Sequence, residues 1–223
     1  ERWNEAIEVY EEMETIGALQ GRGAEYYQKL GYALQKNKKY AEAIDAYLKA
    51  DTLKPDNIWN NRHLAICYRL NRNYQAALSY YKKVEEATPE DTNVIFHIGS
   101  CLAELGQYEE AANYFFKLDF IESNCIKAWR GIGWCSFISR KYEQVMKYYE
   151  KIIEQKPLAI DYMNAGHVAW TMGDIQKAAA LYGKSITANG NRERFLEMFR
   201  KDKEALLKQG IQEEDIPLML DLL

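Results

Sequence analysis

The 223-residue chain has few of the residues and spacings that would mark a metal protein or a membrane protein. It has only three histidines and four cysteines, and neither a Cys-x2-Cys nor a His-x3-His spacing occurs. Structural zinc sites typically use such spacings, so we expect no metal site and no cofactor. No apolar run reaches the roughly 18 residues that a membrane-spanning helix needs, so no membrane span is predicted.

The sequence also lacks a large excess of either sign of charge. The 29 Lys and Arg residues nearly balance the 33 Asp and Glu residues, which leaves a formal net charge of −4 without any Lys/Arg-rich block. Nucleic-acid binding therefore has little electrostatic support. The chain also lacks a Gly-rich phosphate loop, a Ser-centred nucleophile elbow and a His-Glu-x2-His motif, so we do not expect an enzyme.

What the chain does contain is a repeat of 34 residues. With Ala24 as position 1, aromatic residues recur at position 17 (Tyr40, Tyr74, Tyr108, Tyr142) and at position 24 (Tyr47, Tyr81, Phe115, Tyr149). Small residues recur at position 8 (Gly31, Ala65, Gly99, Gly133) and, with one valine, at position 20 (Ala43, Ala77, Ala111, Val145). Each repeat has two apolar segments at helical spacing, separated by a polar turn. The pattern predicts stacked helical hairpins and no sheet.

The repeat resembles the tetratricopeptide repeat, whose pattern is W-x2-L-G-x2-Y…A-x3-F…P. Tyr27-x2-Leu30-Gly31-x2-Leu34 and Trp129-x2-Ile132-Gly133 are among the clearest matches. The resemblance implies an all-α solenoid, a right-handed superhelix of helix-turn-helix units. The predicted organisation is a half repeat with a linker (1–23), five repeats (24–57, 58–91, 92–125, 126–158 and 159–190) and a C-terminal cap (191–223). Because the chain opens in the second helix of a repeat, we expect further sequence before it.

The C-terminal segment is predicted to close the array. Phe195, Leu196, Phe199 and Leu206 form an apolar stripe on one helix, and Gly210 stands where a helix would end. A short apolar helix near Pro217 is expected to fold back onto this cap helix. The alternatives are that this helix contacts a partner or another copy, or that it begins further chain.

Three of the cysteines follow the repeat. Cys67, Cys101 and Cys135 all occupy position 10 of a first helix. Equivalent residues of stacked helices lie about 10 Å apart, too far for a disulfide, so we expect buried free thiols. Cys125 lies in a turn between repeats and is predicted to be exposed. Free cysteines favour a reducing compartment, and we therefore predict a cytoplasmic location.

The resemblance also implies a binding site. In this family, first-helix positions 2, 5, 6, 9, 12 and 13 line a concave groove, and we call this side the first-helix face. The candidate binding residues there are Arg62, His63, Arg69, Phe96, His97, Lys127, Arg130, Trp134, Phe137, Asn164, His167 and Trp170. Arginine binds carboxylates with two hydrogen bonds and aromatic residues supply apolar anchors, so an acidic or carboxylate-terminated peptide fits.

Other interpretations remain open at this stage. The large side chains could pack against neighbouring repeats, and the histidines could serve as polar packing residues. Some relatives bind acidic chaperone tails through a clamp of Lys, Asn and Arg. The corresponding positions here include Gln28 and Tyr32, so we do not predict chaperone-tail binding. The main functional prediction is a non-catalytic interaction scaffold, and the alternative is self-association through the ends of the array, with an unknown oligomeric state.

Overall fold

The computed structural model describes residues 2–15 and 23–223, apart from the side chains of residues 11, 14 and 15. The predicted linker after the half repeat lies largely outside the described residues. The described part contains thirteen α-helices and no strand, so the all-α prediction is confirmed. The helices are α1 (Arg2–Thr15), α2 (Gly23–Lys36), α3 (Tyr40–Leu53), α4 (Ile58–Leu70), α5 (Tyr74–Ala87), α6 (Thr92–Glu104), α7 (Tyr108–Ile121), α8 (Ile126–Ile138), α9 (Tyr142–Ile153), α10 (Ala159–Thr171), α11 (Ile175–Asn189), α12 (Arg192–Lys208) and α13 (Asp215–Asp221).

The helices form two compact units. Unit 1 spans residues 1–106 and contains α1–α6, and unit 2 spans residues 107–223 and contains α7–α13. In each unit, first helices of repeats alternate along the chain with second helices, as the 34-residue period predicts.

A small residue at position 8 and an aromatic residue at position 24 hold the two helices of a repeat together. A Cβ atom added to Gly31 would lie 2.9 Å from the Tyr47 ring, and one added to Gly166 would lie 2.5 Å from the Tyr182 ring. Both tyrosines are fully buried. The helices therefore approach so closely that a larger side chain at position 8 would force them apart.

Each of the five first helices is followed, two residues after its end, by a residue with left-handed backbone. This residue is position 15 of the repeat, and its φ lies between 61° and 85° in Lys38, Arg72, Gly106, Arg140 and Gly173. In α4, the Arg72 amide donates to Arg69 O and the Asn73 amide donates to Tyr68 O, which is a Schellman motif. The Asn73 side chain then caps α5 by accepting from the Ala76 amide. One turn thus ends the first helix and starts the second.

The cysteines are all free and buried. The prediction for the position-10 cysteines is confirmed, and burial raises the pKa of the Cys67 thiol to about 12 and that of Cys101 to about 11. The prediction that Cys125 is exposed was wrong, because only 8% of its surface is accessible. Its Sγ donates to Glu122 Oε2 at 3.3 Å at the start of α8, which holds the thiol against the protein.

The cap helix α12 crosses unit 2 from the last repeat to the turn between α8 and α9. Phe195 and Phe199 pack on Tyr182 near its start. At its end, Lys208 O accepts from Arg140 Nη2 at 2.7 Å and Gln209 Oε1 accepts from Tyr142 Oη at 2.6 Å.

The short helix α13 is linked to the start of α12 by a hydrogen bond and has one buried side. Its Ile216 and Met219 side chains are buried, and Arg192 Nη2 donates to Leu220 O at 2.8 Å. Leu218 and Leu222 remain exposed on the opposite side of α13.

Candidate functional site

An aromatic cluster lies on the first-helix face of unit 1. His63 of α4 is stacked on Tyr47 at a centroid distance of 5.7 Å, and the Trp59 ring lies 4.0 Å from it. Gln35 Oε1 accepts from Tyr47 Oη at 3.0 Å and lies 2.8 Å from His63 Nδ1, so His63 donates through Nδ1. Burial, followed by the nearby Lys36 and Arg62 charges, lowers the pKa of His63 to about 4. His63 is therefore neutral and fixed at physiological pH.

The next repeat of unit 1 has a similar arrangement. His97 of α6 is stacked on Tyr81 at 5.4 Å, and Phe96 contacts the same imidazole edge-on at 5.4 Å. Arg69 Nε donates to Tyr81 Oη at 3.4 Å. Burial raises the pKa of Tyr81 to about 12, so Arg69 faces a neutral phenol. The predicted residues Arg69, Phe96 and His97 thus lie close together, and each is partly exposed.

Arg62 already holds a carboxylate within the protein. Its Nη2 lies 2.8 Å from Asp91 Oδ2. Asp91 caps α6 by accepting from the Asn93 and Val94 amides, at 3.0 and 3.1 Å. Burial of Asp91 opposes its ionisation, but these amide hydrogen bonds and Arg62 together hold its pKa below the usual value. The sequence suggested a cation directed at a ligand, whereas the structure shows an ion pair that links α4 to the start of α6.

A pocket of about 320 Å³ opens beside the unit 1 cluster, and sequence reasoning missed it. Residues of α1, α2 and α4 line it: Trp3, Ala6, Tyr10, Lys29, Tyr32, Ala33 and Trp59. Trp3 is 42% exposed and Trp59 is 43% exposed, and both flank the Tyr32 ring at 5.9 and 6.2 Å. Tyr32 occupies position 9, one of the first-helix positions expected to line the groove. This position in the repeat was the only signal in the sequence that could have identified Tyr32 as a pocket residue.

In unit 2, Arg130 forms an ion pair with an aspartate, as Arg62 does in unit 1. Its Nε and Nη2 donate to the two carboxylate oxygens of Asp161, each at 2.7 Å. The Asp161 side chain is 1% exposed and also accepts from the Leu158 amide at the start of α10. The hydrogen bond to Asp161 raises the pKa of Arg130. Lys127 likewise forms an ion pair with Glu122 at 3.3 Å.

Three predicted groove residues of unit 2 are buried, so the prediction that they face a groove was wrong. Phe137 is 1% exposed, His167 is fully buried and Trp170 is 6% exposed. For His167 and Trp170 the physical reason is α12, whose Phe199 ring lies 5.4 Å from His167 and 6.4 Å from Trp170. Phe137 packs on the rings of Tyr142 and His167. His167 Nδ1 lies 2.7 Å from Tyr182 Oη, and its Nε2 lies 3.4 Å from Asp202 Oδ2.

Two predicted residues of unit 2 remain partly exposed. Trp134 lies on α8 with its ring 5.8 Å from Phe137. Asn164 lies on α10 and is also partly exposed. Of these two residues, Trp134 has the larger apolar side chain.

The described residues offer little to other kinds of site. In residues 2–15 and 23–223, no three His, Cys, Asp or Glu side chains meet in an arrangement that could hold a metal ion. None of the helices described in this part of the chain is long and apolar enough to cross a membrane.

Comparison with known proteins agrees with the repeat geometry. Two family models, both described as tetratricopeptide repeat, match the chain, one over residues 69–135 and the other over residues 24–57 and 162–192. The chain is a tetratricopeptide repeat protein. Its fold belongs to the all-α helical-repeat solenoid class. A search of curated proteins gives no match.

Several solved structures share the fold. One of them is YrrB, reported as a TPR protein with an unusual peptide-binding site. The match to YrrB has a TM-score of 0.66 at 20% identity and covers 90% of this chain and 98% of the YrrB chain. MamA from Desulfovibrio magneticus RS-1 has a TM-score of 0.70 at 15% identity, over 75% of this chain and 95% of its own. A tetratricopeptide repeat protein from Parabacteroides merdae ATCC 43184 has a TM-score of 0.62 at 19% identity, over 99% of this chain and 98% of its own. At these identities the likeness concerns the fold alone.

Proposed function

We propose that this tetratricopeptide repeat protein is a non-catalytic scaffold that binds an extended segment of a partner protein on the first-helix face of unit 1. Tetratricopeptide repeats indicate a protein-interaction role. One observation carries the finer proposal: Trp59 is 43% exposed although its neighbours His63 and Tyr32 hold it in place. A rigid, exposed aromatic ring is the type of residue that dominates binding energy at interfaces.

The basic side chains of this face support a preference for acidic or carboxylate-terminated segments. Lys36 Nζ lies 5.0 Å from the centroid of Tyr32, and α4 has no acidic residue. Because Arg62 is engaged with Asp91, we assign the main attraction for a ligand carboxylate to Lys36 and Arg69. The four buried thiols support a reducing compartment such as the cytoplasm.

A peptide-library screen followed by calorimetry tests this proposal. Wild-type protein should select segments that combine an apolar residue with acidic residues, and Trp59→Ala should weaken binding at least tenfold. Ile58→Ala is the matched control, because Ile58 is the preceding residue, is similarly exposed at 44% and is absent from the aromatic cluster. If Trp59→Ala and Ile58→Ala bind the selected peptides equally well, the proposal is wrong.

A charge pair of variants tests the acidic preference separately. Lys36→Glu should weaken binding of the acidic peptides by about fivefold, because one attraction is replaced by a repulsion at an exposed site. Lys54→Glu makes the same charge change at an exposed position after α3 and should have no effect. Equal losses in both variants would indicate only a general charge effect.

A second candidate function is self-association through α13. The observation that favours it is the exposure of Leu218 and Leu222, at 64% and 62%. Light scattering over a concentration series should then show a mass above that of the 26.0 kDa chain. Leu218→Ser with Leu222→Ser should restore the monomer, and a monomeric wild type at high concentration would exclude this route.

A further inference from the structure

A second pocket opens between the second helices α7 and α9 of unit 2, with the first helix α8 at its base. Its volume is about 240 Å³, and all of its lining residues fall within 109–144. Sites for drug-sized ligands typically measure roughly 300–1,000 Å³, so this pocket suits a smaller molecule. It shares no residue with the candidate binding residues of the first-helix face.

Two small residues leave room for this pocket, each at a repeat position that is large in every earlier complete repeat. Ser136 occupies position 11, which is leucine or tyrosine in the earlier repeats. Ala112 occupies position 21, where the earlier repeats have Ile44 and Leu78, each 6% exposed. Both small residues line the same pocket, so the space that large side chains would take is open between α7 and α9.

The base of the pocket carries a buried hydroxyl group. Ser136 is only 4% exposed, and its hydroxyl has no hydrogen-bond partner among the described residues. The buried Ser185 hydroxyl, in contrast, donates to Ala159 O at 2.8 Å. A buried hydroxyl without a partner loses the hydrogen bonds that it would make in water. The Ser136 hydroxyl therefore favours a ligand with a polar group that reaches the base of the pocket.

The rim of the pocket has one charge of each sign. Glu109 lies in the first turn of α7, and Lys141 directly precedes α9. Neither side chain forms an ion pair with another residue of the described part of the chain. A ligand with a single charge, such as phosphate or a polyamine, would be attracted to one of them and repelled by the other. A zwitterion can pair with both.

We propose that this pocket binds a free α-amino acid with a small polar side chain. Its ammonium group pairs with Glu109, its carboxylate pairs with Lys141, and its side chain hydrogen-bonds the Ser136 hydroxyl. Ala112 and Phe116 supply an apolar wall for the carbon atoms of the ligand. The proposal goes beyond the binding of partner proteins, because it assigns a small-molecule site to the second helices of unit 2.

Four amino acids serve as the probes: L-serine, L-threonine, L-asparagine and L-glutamine. Each is titrated into the wild-type protein, and two-dimensional nitrogen-15 NMR follows the amide signals around the pocket. At least one should bind saturably with a dissociation constant of about 1 mM or below, since a ligand of this size makes few contacts. L-Leucine has a similar size without a polar side-chain group, and it should bind about tenfold more weakly than the tightest of the four.

Derivatives of the tightest binder test the two charges. The N-acetyl form lacks the ammonium group and the carboxamide form lacks the carboxylate, so each should bind about fivefold more weakly. In the protein, Glu109→Gln and Lys141→Met remove the matching charges and should have effects of the same size. Lys147→Met makes the same change at an exposed residue of α9 outside the pocket lining, and it should leave binding unchanged.

A variant that fills the pocket tests its location. Ser136→Leu restores the leucine that position 11 has in α2 and α6, and it should abolish binding. Ser79→Leu makes the same change at an exposed residue of α5 and should bind as wild type does. Far-ultraviolet circular dichroism checks that both variants fold. If Ser136→Leu does not fold, the two charge variants decide the question.

The proposal is overturned if none of the four amino acids binds saturably in the millimolar range, or if L-leucine binds as tightly as they do. It is also overturned if Lys141→Met, or a folded Ser136→Leu, binds the probes as tightly as wild type. The extended-peptide test depends on Trp59 in unit 1, so the two proposals can fail independently.

Discussion

The first-helix face is covered in unit 2 and open in unit 1. In unit 2, α12 lies over α10, so His167 and Trp170 are buried against Phe199. In unit 1, Trp3 and Trp59 remain more than 40% exposed beside a pocket. Positions 9 and 12, which are buried in unit 2 at His167 and Trp170, are partly exposed in unit 1 at Tyr32 and Gln35. A residue's position within the repeat decides its direction, and the element that packs over it decides its exposure.

Weakening the packing of α12 on α10 should have the largest effect on the free energy of unfolding. Phe199 is 2% exposed and contacts His167, Trp170, Tyr182 and Phe195. Phe199→Ala should lower the free energy of unfolding by about 3 kcal/mol, because it leaves a cavity between α12 and α10. Urea unfolding measures this loss. Leu218→Ala, at an exposed site of α13, should change it by less than about 0.5 kcal/mol, and equal losses would mean that α12 does not hold the face closed.

The next largest effect should come from the two arginine–aspartate ion pairs, whose loss should lower the free energy of unfolding by different amounts. Arg130→Met leaves a 1% exposed Asp161 carboxylate without its bidentate partner and should cost about 2 kcal/mol. Arg62→Met leaves an Asp91 side chain that is 23% exposed and still accepts two amide hydrogen bonds, so the loss should stay below about 1 kcal/mol. Urea unfolding of both variants compares them directly. The reverse order would contradict the role of burial.

Acid should destabilise unit 1 through His63. Its folded pKa of about 4 lies below the unfolded value of about 6.5, so the unfolded state takes up the proton first as the pH falls. The contribution of His63 to the free energy of unfolding is therefore constant above about pH 6.5 and declines toward pH 4, by on the order of 2 kcal/mol. His63→Phe keeps an aromatic ring and removes the titration. Its unfolding free energy should fall less steeply over this range than that of wild type, and identical slopes would exclude His63 as the cause.

The open aromatic face should show the smallest stability effect. Trp59→Ala removes a ring that is 43% exposed, and we expect a loss of about 1 kcal/mol, much less than for a fully buried aromatic residue. Thermal unfolding, followed by circular dichroism, measures the change. A loss comparable to that of Phe199→Ala would show that Trp59 is part of the core and would weaken its assignment to partner binding.

The repeat period predicted the helices because it records contacts that recur in every unit. The paired Gly31 and Tyr47, for example, are visible as a fixed spacing of small and aromatic residues. Exposure was harder to predict, because it depends on contacts that the spacing of small and aromatic residues does not show. Asp161 lies 31 residues beyond Arg130 in the chain, and Phe199 lies outside the repeats altogether. Cys125 was misjudged for a similar reason, since a turn residue is buried here by its own local contacts.

The residue in the left-handed turn at position 15 influences the local stability of each repeat. A side chain with a Cβ atom in this conformation costs on the order of 1 kcal/mol, a penalty that glycine avoids. Arg72→Gly should therefore slow amide hydrogen exchange mainly in α4 and α5, because repeat arrays couple chiefly to their nearest neighbours. Arg140 is different, because its guanidinium also anchors the end of α12, so Arg140→Gly would relax the turn and release the cover together. Substitutions at position 15 can therefore change how readily each repeat opens locally, without any change to the core of the unit.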